Sequence, residues 1–333
     1  MSRRGGDPAI NLQLLLKDMR IIDAKTLQIL IFSLFLISAV FCISNAKAGE
    51  PDWGQVPAKT VKAFYPGVAS WDFMTGKDHG TGGNVVKKLE KACADCHVGK
   101  DGSYDIKSDK IISGELKKVA SGESLEQEPL AGMPGFKDVS VQAAYNAEHI
   151  YLRIQWPGSG ASTSEEDADR ISIQASDKIK SFSLYGCFIS CHDDETGMPD
   201  NRGEKKTLYG YYAADKPQDK LDGFLAKGQF IDLWEAYFVG TELKSKDEYV
   251  LESRHEDKND LSASGSFEGG KYTVVITRKL NTGDKGDLEL QDGKAFSAGI
   301  AIHDNKNKDR KHYTAFPITI GLSAAGDVTA KKF

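Results

Sequence analysis

The stretch VSVQAAYNAEHIYLRIQW, residues 139–156, decides the fold class. In its second half Ile150, Leu152, Ile154 and Trp156 alternate with Tyr151, Arg153 and Gln155. A period of two puts one set of side chains on each face of an extended chain, so this is a half-buried strand rather than a helix. The first half, VSVQAAYN, reads as the strand before it. Working outward, RISIQASD (170–177), IDLWEAYF (231–238), YVLES (249–253), AFSAGIAIHD (295–304) and HYTAFPITIGL (312–322) have the same character. LSASGSF and KYTVVITRKL flank Glu268-Gly269-Gly270, a hairpin signal. Short strands separated by turn residues, with few long amphipathic helices, predict a mainly β chain whose C-terminal part is a β-sandwich.

Two cysteine motifs interrupt this pattern. CADCH, Cys93 to His97, has the C-x-x-C-H spacing that attaches a c-type haem: two thiols add to the vinyl groups and the adjoining His reaches the iron. GCFISCHDD, residues 186–194, holds Cys187, Cys191 and His192 with three residues between the cysteines instead of two. One extra residue still lets both sulfurs reach a porphyrin edge through a bulged loop. The competing readings are a cramped disulfide and a haem b held without covalent bonds. For CADCH the competitor is a zinc or redox C-x-x-C site.

Cysteine usage favours haem at both places. Of five Cys, Cys42 lies in an apolar run, LQILIFSLFLISAVFCIS (27–44), and the other four are Cys93, Cys96, Cys187 and Cys191. The run follows Arg20 and Lys25 and ends in Ala46-Lys47-Ala48, so residues 1–48 read as an export signal with Gly49 as the mature start. Met19 is an alternative start that would leave a signal of ordinary length. The run is also just long enough to remain as a membrane anchor facing the periplasm. An exported chain meets an oxidising compartment, and two thioether-linked haems would use all four cysteines.

Residues 1–48 carry six of the 43 Lys/Arg and three of the 48 Asp/Glu, so their removal leaves a net charge of −8. With no basic block, a nucleic-acid partner is not expected; a redox protein with a basic docking face is.

Residues 49–125 read as a small, loop-rich, partly helical haem c module, with SGESLEQEP (121–129) as the linker. From about residue 138 the chain resembles the haem-binding domain of ethylbenzene dehydrogenase gamma subunits and of related cytochromes with a DMSO-reductase-like haem domain. VSVQAAYNAEHIYLRIQW, GCFISCHDDETGMP, DLWEAYF, YTVVITRKL and FSAGIAIHDNKNKDRKHYT carry that resemblance. SWDFMTGKDHGTGG and CADCHVGKDG resemble the haem c module of two-domain members. The resemblance implies a β-sandwich over 126–333 with haem at one end. It also implies electron exchange with a partner, such as the catalytic subunit of a molybdenum enzyme. Gamma subunits bind haem b through Met and Lys. The Cys-Cys-His set here and the His residues of the last hairpin depart from that and resemble a c-type branch, with His192 as proximal ligand.

The remaining histidines offer sixth ligands. His79 lies in the Gly-rich KDHGTGG, where backbone can pass close to a porphyrin; Met74 and Met133 are its rivals. For the second haem, Ser297, Gly299, Ala301 and His303 share one strand face, small up to the His, with apparent room for a flat cofactor. His312 opens the return strand roughly opposite His303. The Lys of the gamma subunits falls just past this tip, which favours His312; Met198 is a fallback. His149 and His255 read as structural or solvated. Three functions follow in order: a periplasmic dihaem electron carrier, the haem subunit of a molybdenum oxidoreductase, and a dihaem peroxidase or small-molecule reductase, which needs an open iron.

Overall fold

The computed structural model describes residues 49–160, 164, 168–190, 212–258, 260–304 and 311–333. The chain has thirteen strands among these residues. They are β1 (Lys59–Phe64), β2 (Phe136–Tyr145), β3 (His149–Pro157), β4 (Asp169–Ser176), β5 (Ile231–Val239), β6 (Glu242–Val250) and β7 (Arg254–Glu256). Then come β8 (Ser262–Glu268), β9 (Lys271–Lys279), β10 (Lys294–His303), β11 (Tyr313–Ala315), β12 (Ile318–Leu322) and β13 (Val328–Lys332). The helices are short: α1 (Trp71–Thr75), α2 (Thr81–Lys87), α3 (Cys93–His97), α4 (Ser108–Ile112), α5 (Lys180–Tyr185) and α6 (Gln218–Leu225). None is long and apolar enough to cross a membrane.

The alternation in 149–156 does what it predicts. Ile150, Leu152, Ile154 and Trp156 are all at most 1% exposed. They join Val139, Val141 and Ala143 of β2, Ile171 and Ile173 of β4, and Val274 and Ile276 of β9 in one core. Truncating one of them, Ile154→Ala for example, removes about 2–5 kcal/mol.

The hydrogen-bonded strand order is β7-β6-β5-β4-β10-β11-β1-β2-β3-β9-β8. β5 and β9 are far apart in that order, yet Phe238 and Tyr272 pack with ring centres 5.0 Å apart. Arg278 of β9 also pairs with Asp232 of β5 at 2.8 Å. The sheet therefore folds over on itself, and its two halves close on a shared core, as a β-sandwich requires. Strands that serve two neighbours make the turn. One edge of β10 pairs with β12 over Lys294–Ala298 and with β11 at Ala301 and Ile302. β2 likewise passes from β1 to β13.

Residues Pro51–Phe333 form one compact unit. The leading segment takes part in the sheet through β1, which lies between β11 and β2. After β1 the chain leaves the sheet and runs through α1 to α4; Trp71 and Met74 of α1, Val86 of α2 and Cys93 of α3 pack with Phe64, Phe316 and the α5 region in a second apolar cluster, whereas Ile111 and Ile112 of α4 join the main core.

Candidate haem sites

The first site is built on α3, a helix of a little over one turn. Asp95 Oδ2 accepts the Ala92 amide at 2.9 Å and fixes its start. The turn buries Cys93, leaves Cys96 exposed, and brings His97 to its end. Burial pushes the Cys93 thiol up to about 12.

His79 comes from the turn between α1 and α2. Its ring centre lies 6.0 Å from that of His97, with the planes 16° apart. His79 Nδ1 is 2.9 Å from the Met74 carbonyl, and His97 Nδ1 is 3.0 Å from the Asp105 carbonyl. A carbonyl only accepts, so each Nδ1 carries its proton and each Nε2 keeps its lone pair. That tautomer is the one a metal needs, and backbone tethers of this kind orient ligating imidazoles. An iron held by a nitrogen on each face at about 2 Å spaces two imidazole centres roughly 6 Å apart. The pair therefore fits the group that CADCH implies.

Glycine makes the approach of α2 to His79 possible. A Cβ at Gly82 would stand 2.9–3.1 Å from three atoms of the His79 ring. Burial and the neighbouring His97 lower the His79 pKa against the opposing effect of the Met74 carbonyl. Met74 is buried in the second apolar cluster, and Met133 packs against the main core. The structure thus brings His79, the expected partner, to His97.

The second motif follows α5. Gly186 has φ of +56° and opens a 3₁₀ turn, Gly186–Ser190, that carries Cys187. Ser190 Oγ donates to Gln174 Oε1 at 2.7 Å and ties the turn to β4. Cys191, His192 and the fallback ligand Met198 lie outside the described residues, as do residues 1–48, where an export signal is expected. Cys187 lies on β10: a Cβ at Gly299 would be 2.6 Å from its Sγ and 3.5 Å from Phe182. The small face Ser297-Gly299-Ala301 is therefore not open space at Gly299. A side chain there would meet Cys187 and Phe182, which occupy that position. Burial pushes the Cys187 thiol up to about 11, partly offset by the Thr314 hydroxyl.

His303 and His312 are neighbours, with ring centres 4.8 Å apart and planes at 42°. They stand one step beyond the Ile302–Tyr313 pair of the β10–β11 ladder. The spacing is shorter than two ligands on opposite faces of one haem iron allow, so at most one of the two can serve such an iron, opposite another residue. His149 lies beside Glu148 and Tyr151. His255 stacks on Tyr249 at 4.7 Å and meets Ser253 Oγ at 3.0 Å. Both have structural surroundings.

The aromatic packing between the motifs was not read from the sequence. Phe316 lies 6.3 Å from His97 and 5.0 Å from Phe64; Phe64 lies 6.2 Å from Phe188, the residue after Cys187. Trp71 and Tyr185 meet edge to face at 5.6 Å. Cys93, Met74, Tyr185 and Phe188 belong to one apolar cluster. A residue pattern could only have hinted at this through the aromatics that flank each motif.

A C-x-x-C-H turn whose histidine meets a second, tautomer-fixed histidine, set against a β-sandwich, defines a c-type cytochrome. The family model described as ethylbenzene dehydrogenase matches residues 50–260 and 247–315, and the chain belongs to that family. It is 35% identical to a cytochrome c-552 of Stutzerimonas stutzeri over 304 residues, 88% of this chain and 94% of that protein. A cytochrome c-551 of Rhodocyclus tenuis is 26% identical over 287 residues, 85% of this chain and 99% of that one. Among solved structures, a family 9 carbohydrate-binding module from Caldicellulosiruptor kristjanssonii aligns over 56% of this chain and 69% of its own, at 7% identity and a TM-score of 0.29. That likeness is too slight to bear on function. The protein is a haem c cytochrome of electron transfer with an ethylbenzene dehydrogenase-like domain.

Proposed function

We propose that the protein is a dihaem electron carrier of the periplasm, exported by residues 1–48. In this reading the 49–125 segment holds one haem c through Cys93 and Cys96, with His97 and His79 as axial ligands. The 126–333 sandwich holds the second through Cys187 and Cys191, with His192 on one face and a hairpin histidine, His312 before His303, on the other. When bound, each haem supplies a reversible one-electron couple. The protein's own residues bind, orient and shield it. The Met74 and Asp105 carbonyls set the imidazoles, and the shared apolar cluster keeps water from the buried side.

The observation that carries this is the His79–His97 pair. Two donors at that spacing leave no position for substrate, which suits a carrier rather than a catalyst. The net negative charge expected after export favours a redox partner with a basic docking face. The family match favours a second reading, the haem subunit of a molybdenum oxidoreductase, which predicts co-purification with a large catalytic subunit.

Redox titration with optical and carbon monoxide monitoring tests the carrier. It should give two reversible one-electron steps, low-spin spectra throughout, and no carbon monoxide uptake on reduction. Carbon monoxide binding by the native protein would favour the peroxidase or reductase instead.

A further inference from the structure

Away from the haem motifs, six aspartates converge where β5, β6, the β7–β8 connection and the β9–β10 loop meet. The ligand oxygens of Asp232, Asp247 and Asp287 lie within 4.8 Å of one another, and so do those of Asp260, Asp284 and Asp287. Asp257 joins them: its amide donates to the Asp247 carbonyl at 3.2 Å. Gly286 lets the loop close here, since a Cβ there would fall 2.1 Å from Asp257 Oδ2.

The positive charge at hand does not match. Arg278 pairs with Asp232 at 2.8 Å and Asp287 at 3.2 Å. Lys258 reaches Asp260 only at 3.4 Å, with its side chain 68% exposed. Asp287 Oδ1 has only its ion pair with Arg278, the Asp247 carboxylate lies by the Asp260 amide, and Asp287 Oδ2 and one oxygen each of Asp257 and Asp284 are buried with no hydrogen-bond donor. Asp247 is 1% exposed, so water does not solvate it. A carboxylate in that condition takes up either a proton or a cation.

We propose that Asp260, Asp284 and Asp287, backed by Asp247 and Asp257, form a calcium site that joins the β7–β8 connection to the β9–β10 loop. The donors are all oxygen and mostly charged, which selects a hard cation over zinc or copper. Oxygens that share a calcium ion at about 2.4 Å stand no more than about 4.8 Å apart, and those of Asp260, Asp284 and Asp287 lie within that limit. The guanidinium of Arg278 fills the Asp232 side, whereas Asp260 and Asp284 are half-buried and leave a way in.

The test uses the haem-loaded protein, dialysed and assayed for bound calcium by elemental analysis, then unfolded thermally in calcium chloride or in EDTA. The expected result is about one calcium per chain and a midpoint higher in calcium, by on the order of 5 °C at one hundred times the dissociation constant. Asp284→Asn should lose most of that shift while its midpoint in EDTA stays equal or rises, because the change relieves repulsion. If that variant does not fold, Asp260→Asn serves the same comparison. Absence of bound calcium together with equal midpoints in calcium and EDTA overturns the proposal, as does an Asp284→Asn protein that keeps the full shift.

Discussion

His79 and His97 face each other at 6.0 Å between ring centres, and each is held by a backbone carbonyl through Nδ1. The two residues are 18 positions apart in the chain, in different turns, and neither carbonyl depends on side-chain identity. The pairing is thus a property of the backbone path through α1, α2 and α3. His79→Ala should turn one haem high-spin and let it bind carbon monoxide on reduction. His79→Met should keep it low-spin and raise its potential, because a thioether favours the reduced iron relative to imidazole. Optical and electron paramagnetic resonance spectra of the two variants check this; an unchanged low-spin spectrum in His79→Ala would move the ligand elsewhere, with Met74 next.

Gly82→Ala tests the same site without touching a donor. The added methyl meets the His79 ring at 2.9–3.1 Å, inside ordinary contact, so ring or helix must shift. The expected outcome is a loss of about 1–3 kcal/mol in stability, measured by denaturant unfolding, with a partial high-spin signal. A variant with native stability and spectrum would show that the close approach is relaxed at no cost.

At the second site, Gly299→Ala places a methyl 2.6 Å from Cys187 Sγ. Haem attachment there should fall while attachment at Cys93 and Cys96 persists. Haem staining of a denaturing gel, normalised to protein, reads the loss directly. Among the histidines, His312→Ala should open the second iron to carbon monoxide and His303→Ala should perturb it less. The reverse order would exchange their roles.

The sandwich was legible because alternation at Ile150, Leu152, Ile154 and Trp156 reports burial directly, and the Cys93–His97 turn was legible because its motif is contiguous. His79 could be proposed from its glycine neighbours, but its tether to Met74 could not, since backbone carbonyls leave no trace in residue identity. The small residues of β10 suggested free space, whereas Cys187 and Phe182 lie against Gly299: sequence shows size, not what fills the gap. β1 illustrates the same limit, because a strand inserted between β11 and β2 from far upstream depends on long-range pairing. The six aspartates are spread from 232 to 287 without the regular spacing of a loop motif, so only the folded chain brings them together.

The central claim, two covalently bound haems on one exported chain, is tested most directly by intact mass with peptide mapping of the wild type. The account predicts two haem adducts, one on the peptide carrying Cys93 and Cys96 and one on the peptide carrying Cys187 and Cys191. A single adduct, with Cys187 and Cys191 recovered as thiols or as a disulfide, would contradict it.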